Sequence, residues 1–245
     1  PWDMRSPSDI VRTFNIKGSK FKRGRYTGVN YKQNKGSRKH DPYFMLNLGG
    51  KRINPRVFHR LTFKYRFKGG YSLRRGTMSR FGWTTKRYDD PKYWQISDDI
   101  VTKSGWNTIT IDLKKIRLNR GRYGWKNSIT RFRFDPHEDR GTRRFYVSSI
   151  ALREDDKVNK RRRFRIRYKL YDVNSPTVTV KLYRDRDRTF GNGNERLITT
   201  QVTNPGSRGY TWKVSRKIRG TWWIYAQAND GTNTNGYYST GPLKT

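Results

Sequence analysis

The chain has 245 residues, of which 56 are Lys or Arg and 19 are Asp or Glu, and its formal net charge is +37. Aromatic residues make up 15% of it, which supplies enough large apolar surface for a core and excludes a fully disordered chain. It has no cysteine and no run of about 18 apolar residues, which excludes disulfides, thiolate metal sites, cysteine nucleophiles and a membrane-spanning helix.

Apolar and polar residues alternate with a period of two in the first half of the chain. The clearest cases lie at residues 61–67, 108–113 and 129–134. This period is typical of antiparallel strands, which bury one face and leave the other in water. The first half is therefore predicted to be a β-sandwich.

A polar stretch at residues 153–162 interrupts the alternation, since Val158 is its only apolar residue. We therefore predict two domains, residues 1–156 and 157–245. The first has 37 basic and 14 acidic residues (+23), and the second has 19 basic and 5 acidic residues (+14). The positive charge is thus spread over both domains and is not confined to a tail.

Shorter alternating segments follow at residues 164–170, 178–182, 197–202, 210–214 and 222–226. Clusters of Asn, Asp, Gly, Ser and Pro separate them, as expected for turns. This spacing predicts a smaller sandwich of the immunoglobulin or fibronectin type III kind. A true immunoglobulin domain is not supported, because the chain has no cysteine pair for the disulfide between the sheets.

Several segments resemble known modules. Residues 104–113, 129–138 and 144–152 are similar to the last strands of jelly rolls of the carbohydrate-binding-module, galactose-binding-like kind. Residues 220–226 and 238–243 resemble the fibronectin-like modules that often follow such jelly rolls. The resemblance implies an all-β fold, a jelly-roll β-sandwich followed by a smaller immunoglobulin/fibronectin-like β-sandwich. Because such modules occur on bacterial secreted and surface proteins, it also implies an extracellular or cell-surface location.

Basic side chains recur on the outer faces of the predicted strands. Residues two apart on a strand lie about 6.6–6.8 Å apart on one face, which is close to the spacing of anionic groups on an extended polymer. Guanidinium groups bind phosphate, sulfate and carboxylate through paired hydrogen bonds. The predicted polyanion-binding residues are Arg161, Arg163, Arg165, Arg167, Lys169, Lys64, Arg66, Lys68, Arg131 and Arg133.

One such row by itself has a simpler interpretation, a solvated face or an edge strand protected by charge against aggregation. The high net charge favours a partner, because a compact body with so much like charge repels itself. The predicted partner is an acidic polymer, either polysaccharide or nucleic acid, or an acidic protein subunit. Nucleic-acid binding would be electrostatic and salt-sensitive, because no sequence-specific recognition motif is present.

Tryptophan rings can stack on sugars or bases. Trp83 and Trp94 flank a polar segment and are the predicted glycan-stacking residues. Trp106 and Trp125 lie within the framework segments and are predicted to be core residues.

Catalytic material is scarce in the sequence. It has three histidines and no Gly-x-Ser-x-Gly motif. The acids and His137 in residues 135–139 are interpreted as a turn between strands, although general acid/base chemistry could use them. The chain is therefore predicted not to be an enzyme.

No cofactor is predicted, with calcium as the alternative. Asp185 and Asp187 begin a segment in which oxygen-bearing side chains alternate before a glycine, as in calcium loops. The arginines between the acids lower the negative potential of the segment, and its later spacing departs from the EF-hand pattern.

The sequence thus predicts a non-catalytic, basic surface or secreted protein that binds a polyanion. The first alternative is a self-assembling subunit of an extracellular filament or layer. In that case residues 220–243, which contain no Lys or Arg, would make subunit contacts. The second alternative is a module that binds neutral glycans.

Overall fold

The computed structural model describes residues 1–30, 41–68, 78–102, 105–137, 142–172 and 174–245. Within these ranges the chain forms twenty strands and two short 3₁₀-helices, Pro7–Asp9 and Pro91–Tyr93. Neither helix has the length that a bilayer crossing by a helix would need. The prediction of an all-β fold built from antiparallel sheets is confirmed.

The chain divides into two compact units, Pro1–Glu154 and Asp155–Thr245. Unit 1 contains two antiparallel sheets. In the order of their pairing, the main strands of the first sheet are β1 (Ile10–Phe14), β4 (Tyr43–Leu46), β11 (Ile129–Asp135), β6 (Met78–Thr85), β7 (Gln95–Ser97) and β10 (Leu118–Arg120), and β8 (Ile100–Val101) also pairs with β6. The second sheet contains β2 (Ile16–Phe21), β3 (Tyr26–Asn30), β12 (Arg143–Arg153), β5 (Arg60–Phe67) and β9 (Asn107–Asp112).

The core of unit 1 lies between its two sheets and is rich in aromatic rings. Phe63 of β5 packs edge to face on Phe81 of β6, with ring centroids 5.1 Å apart. Phe134 of β11 lies 5.4 Å from Phe63 and 4.6 Å from Phe81. Every second residue of β5 is buried here, so the period of two in the sequence does mark the inner face of this strand.

Strand β11 departs from the predicted alternation because its outer face is covered as well. Its register against β6 shifts between Ile129 and Arg131, and Arg133 then lies opposite Gly82 and is only 7% exposed. A β-carbon at Gly82 would come within 2.9 Å of Nε of Arg133, so the glycine makes room for the guanidinium group. Arg133 is a buried residue and does not belong to an outward-facing row.

Unit 2 contains a six-stranded and a two-stranded sheet. Its strands are β13 (Asp156–Lys157), β14 (Arg163–Leu170), β15 (Val178–Asp185), β16 (Arg196–Thr203), β17 (Gly206–Lys213), β18 (Thr221–Asn229), β19 (Thr234–Tyr238) and β20 (Leu243–Lys244). The pairing of β13 with β20 is parallel, and the others are antiparallel. Ile166 and Trp212 of the small sheet share a buried cluster with Val180, Leu182 and Ile224 of the large sheet, so the two sheets enclose one core.

Candidate anion-binding surface

The outer face of β14 carries a row of exposed cations. Arg163, Arg165, Arg167 and Lys169 are all exposed, whereas Phe164, Ile166, Tyr168 and Leu170 alternate with them and pack against the core of unit 2. The row follows from the amino-acid pattern, because side chains on a strand point alternately to its two faces. Successive charges are therefore about 6.6–6.8 Å apart along the strand.

Strand β17 adds to this face without covering it. Lys213 lies opposite Arg163, Thr211 opposite Arg165, and Gly209 opposite Arg167. A guanidinium N–H of Arg165 donates to Oγ1 of Thr211 at 3.0 Å, which holds the arginine across the ladder.

Gly209 is required by this arrangement. A β-carbon there would lie 2.8 Å from the carbonyl oxygen of Ile166 and 3.0 Å from Nε of Arg165. Because Gly209 has no side chain, Arg165 can extend across β17 and the surface beside Arg167 stays open.

The row ends in a cleft of about 520 Å³ between the start of β14 and the end of β17. Eight of the residues that the structure describes line it, and six of them are basic while none is acidic. They are Lys160, Arg161, Arg162, Arg163, Lys213, Val214, Ser215 and Arg216.

Arg162 stabilises the wall of the cleft through hydrogen bonds to the backbone. It has a positive φ of 58°, and its guanidinium group donates to the carbonyl oxygens of Ser215 and Ile218, both at 2.9 Å. Its own carbonyl oxygen accepts from the backbone N–H of Val214 at 2.7 Å. Arg162 is thus engaged with the backbone, whereas the other five basic residues extend into solvent.

Asp187 and Asp230 of unit 2 accept hydrogen bonds from backbone N–H groups of their own turns and do not neutralise the cleft. The pKa of Asp187 lies below its usual value, chiefly because the backbone N–H of Thr189 donates to it. The pKa of Asp230 is lowered in the same way, first by the N–H of Asn233. Among the described residues, no carboxylate forms an ion pair with Lys160, Arg161, Arg163, Lys213 or Arg216.

The structure gives the predicted cations different roles. Arg161 joins Arg163 at the cleft, and Lys213, Arg216 and Lys160 complete it. Sequence analysis missed these last three residues. An available signal for one of them was the alternation around Trp212, which assigns Lys213 to the outer face of its strand.

In unit 1 the predicted cations do not form one surface of this kind. Lys64 is exposed on β5 and Lys68 is exposed directly after the strand, with Arg66 partly exposed between them. Arg131 pairs with Asp89, Nε to Oδ1, at 3.1 Å. Arg133 donates through one Nη to Asp135 at 2.8 Å and to Asp41 at 3.2 Å, so its charge is balanced within the protein.

The predicted glycan-stacking tryptophans are both buried. Trp83 is 0% exposed, its ring lies 5.2 Å from that of Trp125, and its indole N–H donates to the carbonyl oxygen of Gly124. Trp94 is 8% exposed, with the guanidinium carbon of Arg133 5.1 Å from its ring centre. The prediction is wrong for both residues, because the ring of Trp83 lies in the core and that of Trp94 is buried against Arg133, so neither is open to a sugar.

The arginines at the end of β15 contact aromatic rings. The guanidinium carbons of Arg184 and Arg186 lie 4.3 and 3.7 Å from the ring centre of Trp222. That of Arg188 lies 4.6 Å from Trp223. Burial, followed by repulsion from neighbouring arginines, lowers the pKa of Arg184.

Asp185 and Asp187 act as hydrogen-bond acceptors in their own turn. Asp185 is fully buried and accepts from the hydroxyl of Tyr238 and from the backbone N–H of Asp187. Asp187 accepts from the side-chain amides of Asn192 and Asn194. In the described part of the chain, no group of three or more His, Asp or Glu side chains is arranged to hold a metal ion.

His137 and Asp135, from the cluster considered for acid/base chemistry, are buried in unit 1. Nδ1 of His137 contacts the side-chain amide of Asn30 at 3.4 Å, and Asp135 pairs with Arg133. Glu138 and Asp139 of the same cluster lie outside the described residues.

No family model and no curated protein sequence matches the chain. Among solved structures it is similar to a beta-1,2-glucanase from Parabacteroides distasonis, at 12% identity and a TM-score of 0.32, over 94% of this chain and 34% of that one. It is also similar to a candidate beta-galactosidase from Bacteroides fragilis, at 8% identity and a TM-score of 0.23, over 83% of this chain and 32% of that one.

The chain therefore spans about a third of the length of the solved proteins it matches. The prediction that it is not an enzyme is contradicted by these matches, because both proteins are described as enzymes, and it is withdrawn. At these TM-scores the likeness assigns neither a reaction nor a substrate to this chain.

Proposed function

We propose that the protein binds a linear polyanion through unit 2, with the cleft as the main contact and the β14 row as its continuation. The cleft supports this most directly, because six basic and no acidic side chains line it among the residues that the structure describes. An anion placed there would replace repulsion between like charges with charge-assisted hydrogen bonds.

The row extends the contact along one direction. Charges repeat along β14 from Arg163 to Lys169, so an extended chain lying along the strand meets one cation for each step of about 6.6–6.8 Å. The chemistry is shared by sulfated or carboxylated polysaccharide and by nucleic acid. We propose an extracellular or cell-surface setting, and we assign the two units to a jelly roll and a fibronectin-like sandwich as part of the same proposal.

The experiment compares two variants that lose the same charge. One carries Arg161→Gln, Arg163→Gln and Lys213→Gln in the cleft. The control carries Lys51→Gln, Arg52→Gln and Arg56→Gln at exposed positions of unit 1. Binding of heparin and of double-stranded DNA is measured between 50 and 300 mM salt.

The wild-type affinity should fall steeply with salt. For DNA, each lost phosphate contact makes the negative slope of log K against log salt shallower by about 0.9. The cleft variant lacks three cations, so the magnitude of its slope should be smaller by roughly 2 to 3. The control should keep nearly the whole slope. Equal losses in both variants would show that net charge alone drives binding, and would refute the cleft as the site. The ratio of the heparin and DNA affinities identifies the class of polymer.

A further inference from the structure

An exposed tryptophan in unit 1 has three cations around it. Trp106 is 36% exposed, although it was predicted to be a core residue. The charged groups of Arg25, Lys64 and Arg66 lie 5.4, 5.6 and 5.7 Å from the centre of its ring. These four residues define what we call the Trp106 cluster.

The second sheet of unit 1 assembles this cluster from three separate parts of the chain. Trp106 precedes β9 and follows Gly105, whose φ of 77° turns the chain there. Lys64 and Arg66 lie on the outer face of β5, because their neighbours Phe63, Tyr65 and Phe67 fill the core. Arg25 comes from the residue before β3.

Arg66 is positioned between two rings. Its guanidinium carbon lies 4.8 Å from the ring centre of Tyr146 and 5.7 Å from that of Trp106. Tyr146 lies opposite Arg66 in the β12–β5 ladder, so the pairing of these strands sets the contact. Stacking on two rings limits the motion of the guanidinium group and leaves its edge to bind an anion.

The charges of the cluster are not balanced within the described part of the protein. None of Arg25, Lys64 and Arg66 forms an ion pair with a carboxylate there. A cation over an exposed aromatic ring is only weakly attracted to it, and mutual repulsion among the three cations opposes this gain. A ligand that brought negative charge to the rim of the ring would relieve the repulsion.

We propose that the Trp106 cluster binds an acidic sugar unit of a carbohydrate. The apolar face of the sugar lies on the indole, and its carboxylate or sulfate groups pair with the surrounding cations. A sugar carries these groups on the stacked ring itself, where the three cations are. A nucleotide stacked on the same indole has an uncharged base at that place and carries its phosphate farther away. The inference concerns a different unit from the cleft and does not depend on it.

The test uses the full chain with the cleft variant Arg161→Gln, Arg163→Gln and Lys213→Gln as background, so that the cleft does not compete. The probe is a heparin-derived tetrasaccharide, which carries uronate and sulfate groups. Binding is measured by calorimetry and by the NMR signal of the Trp106 indole N–H, which is assigned from its loss in Trp106→Phe. We expect saturable binding with a shift of that signal.

Two variants test the two parts of the contact. Trp106→Ala should weaken binding by roughly tenfold or more, the scale of stacking on an aromatic ring. Lys64→Gln should weaken it by about two- to fivefold, as for a solvent-exposed ion pair. Lys51→Gln is the matched control, an exposed lysine of the same unit outside the cluster, and should leave the affinity unchanged. Circular dichroism checks that each variant is folded.

Several results would overturn the inference. Cellotetraose, which is neutral, should bind at least tenfold more weakly, and equal binding would exclude a role for the cations. If inorganic sulfate shifts the Trp106 signal as strongly as the tetrasaccharide, and Trp106→Ala has no effect, the cluster binds an adventitious ion only. Tighter binding of a trinucleotide at the Trp106 signal would assign the cluster to nucleic acid. Loss of polymer binding at the cleft is measured separately, so each proposal can fail alone.

Discussion

Replacing Arg133 with methionine removes a buried charge from the middle of β11. The guanidinium group pairs with Asp135, which is fully buried, and with Asp41, which is partly exposed. Methionine has a similar length, so the substitution removes the charge and its hydrogen bonds with little loss of packing volume. The carboxylate of Asp135 then stays buried next to an apolar side chain.

The loss of stability in this variant follows from the burial of Asp135, the carboxylate that remains. Breaking a buried ion pair by removing one partner typically costs about 3–5 kcal/mol. In a domain of this size, each kcal/mol shifts the melting temperature by about 2–4 °C, so Arg133→Met should lower it by roughly 6–20 °C. Arg131→Met is the matched control on the same strand. Its exposed pair with Asp89 is expected to contribute about 0–1 kcal/mol.

Differential scanning calorimetry of the wild type and both variants measures the difference. Adding Asp135→Asn to Arg133→Met should recover part of the loss, because it removes the buried negative charge that Arg133 compensates. Heparin binding at 20 °C should be unchanged in folded Arg133→Met, since this arginine is not on the surface. Melting temperatures within two degrees of each other for Arg133→Met and Arg131→Met would refute the assignment of Arg133 as a structural residue.

The other predictions concern unit 2. Gly209→Val places a side chain against the carbonyl oxygen of Ile166 and Nε of Arg165, so it should lower the free energy of unfolding by about 1–3 kcal/mol; urea denaturation measures this, and an unchanged midpoint would contradict it. The lowered pKa of Asp187 predicts the direction in which protein stability changes with pH. Its stabilising contribution is present above the ordinary aspartate pKa of 3.8 and is lost as pH falls through the lower value of the folded state. Urea midpoints between pH 6 and pH 3 should therefore fall less steeply in Asp187→Asn than in the wild type, and parallel curves would contradict the assignment.

Local alternation in the sequence was enough to predict several of the strands, including β5, β11 and β15, and the cationic row of β14. Basic and apolar residues alternate strictly along this strand. Because a strand has only two faces, one face of β14 had to be basic. The same reasoning identified the core face of β5, from Leu61 to Phe67. In both cases the information lies within a few consecutive residues.

The cleft could be predicted only in part. Lys160, Arg161 and Arg163 are near one another in the chain, but Lys213 and Arg216 are about fifty residues away and join them only through the pairing of β14 with β17. Which strands pair, and in which register, depends on the packing of the whole unit. Alternation within one strand carries no information about its neighbour.

The largest errors have a single physical cause. Arg133 and Trp106 were assigned to the surface and to the core from their own segments, and the structure places each in the opposite environment. A strand pattern states which residues share a face, but the elements that cover the face decide whether it meets water. Over β11, Tyr43, Trp94 and Asp41 cover the outer face and enclose a charge. The sequence by itself thus determined the clearly alternating strands, the two faces of each and the strong positive charge. The tertiary structure decided which cations remain in solvent, because burial depends on contacts between residues far apart in the chain.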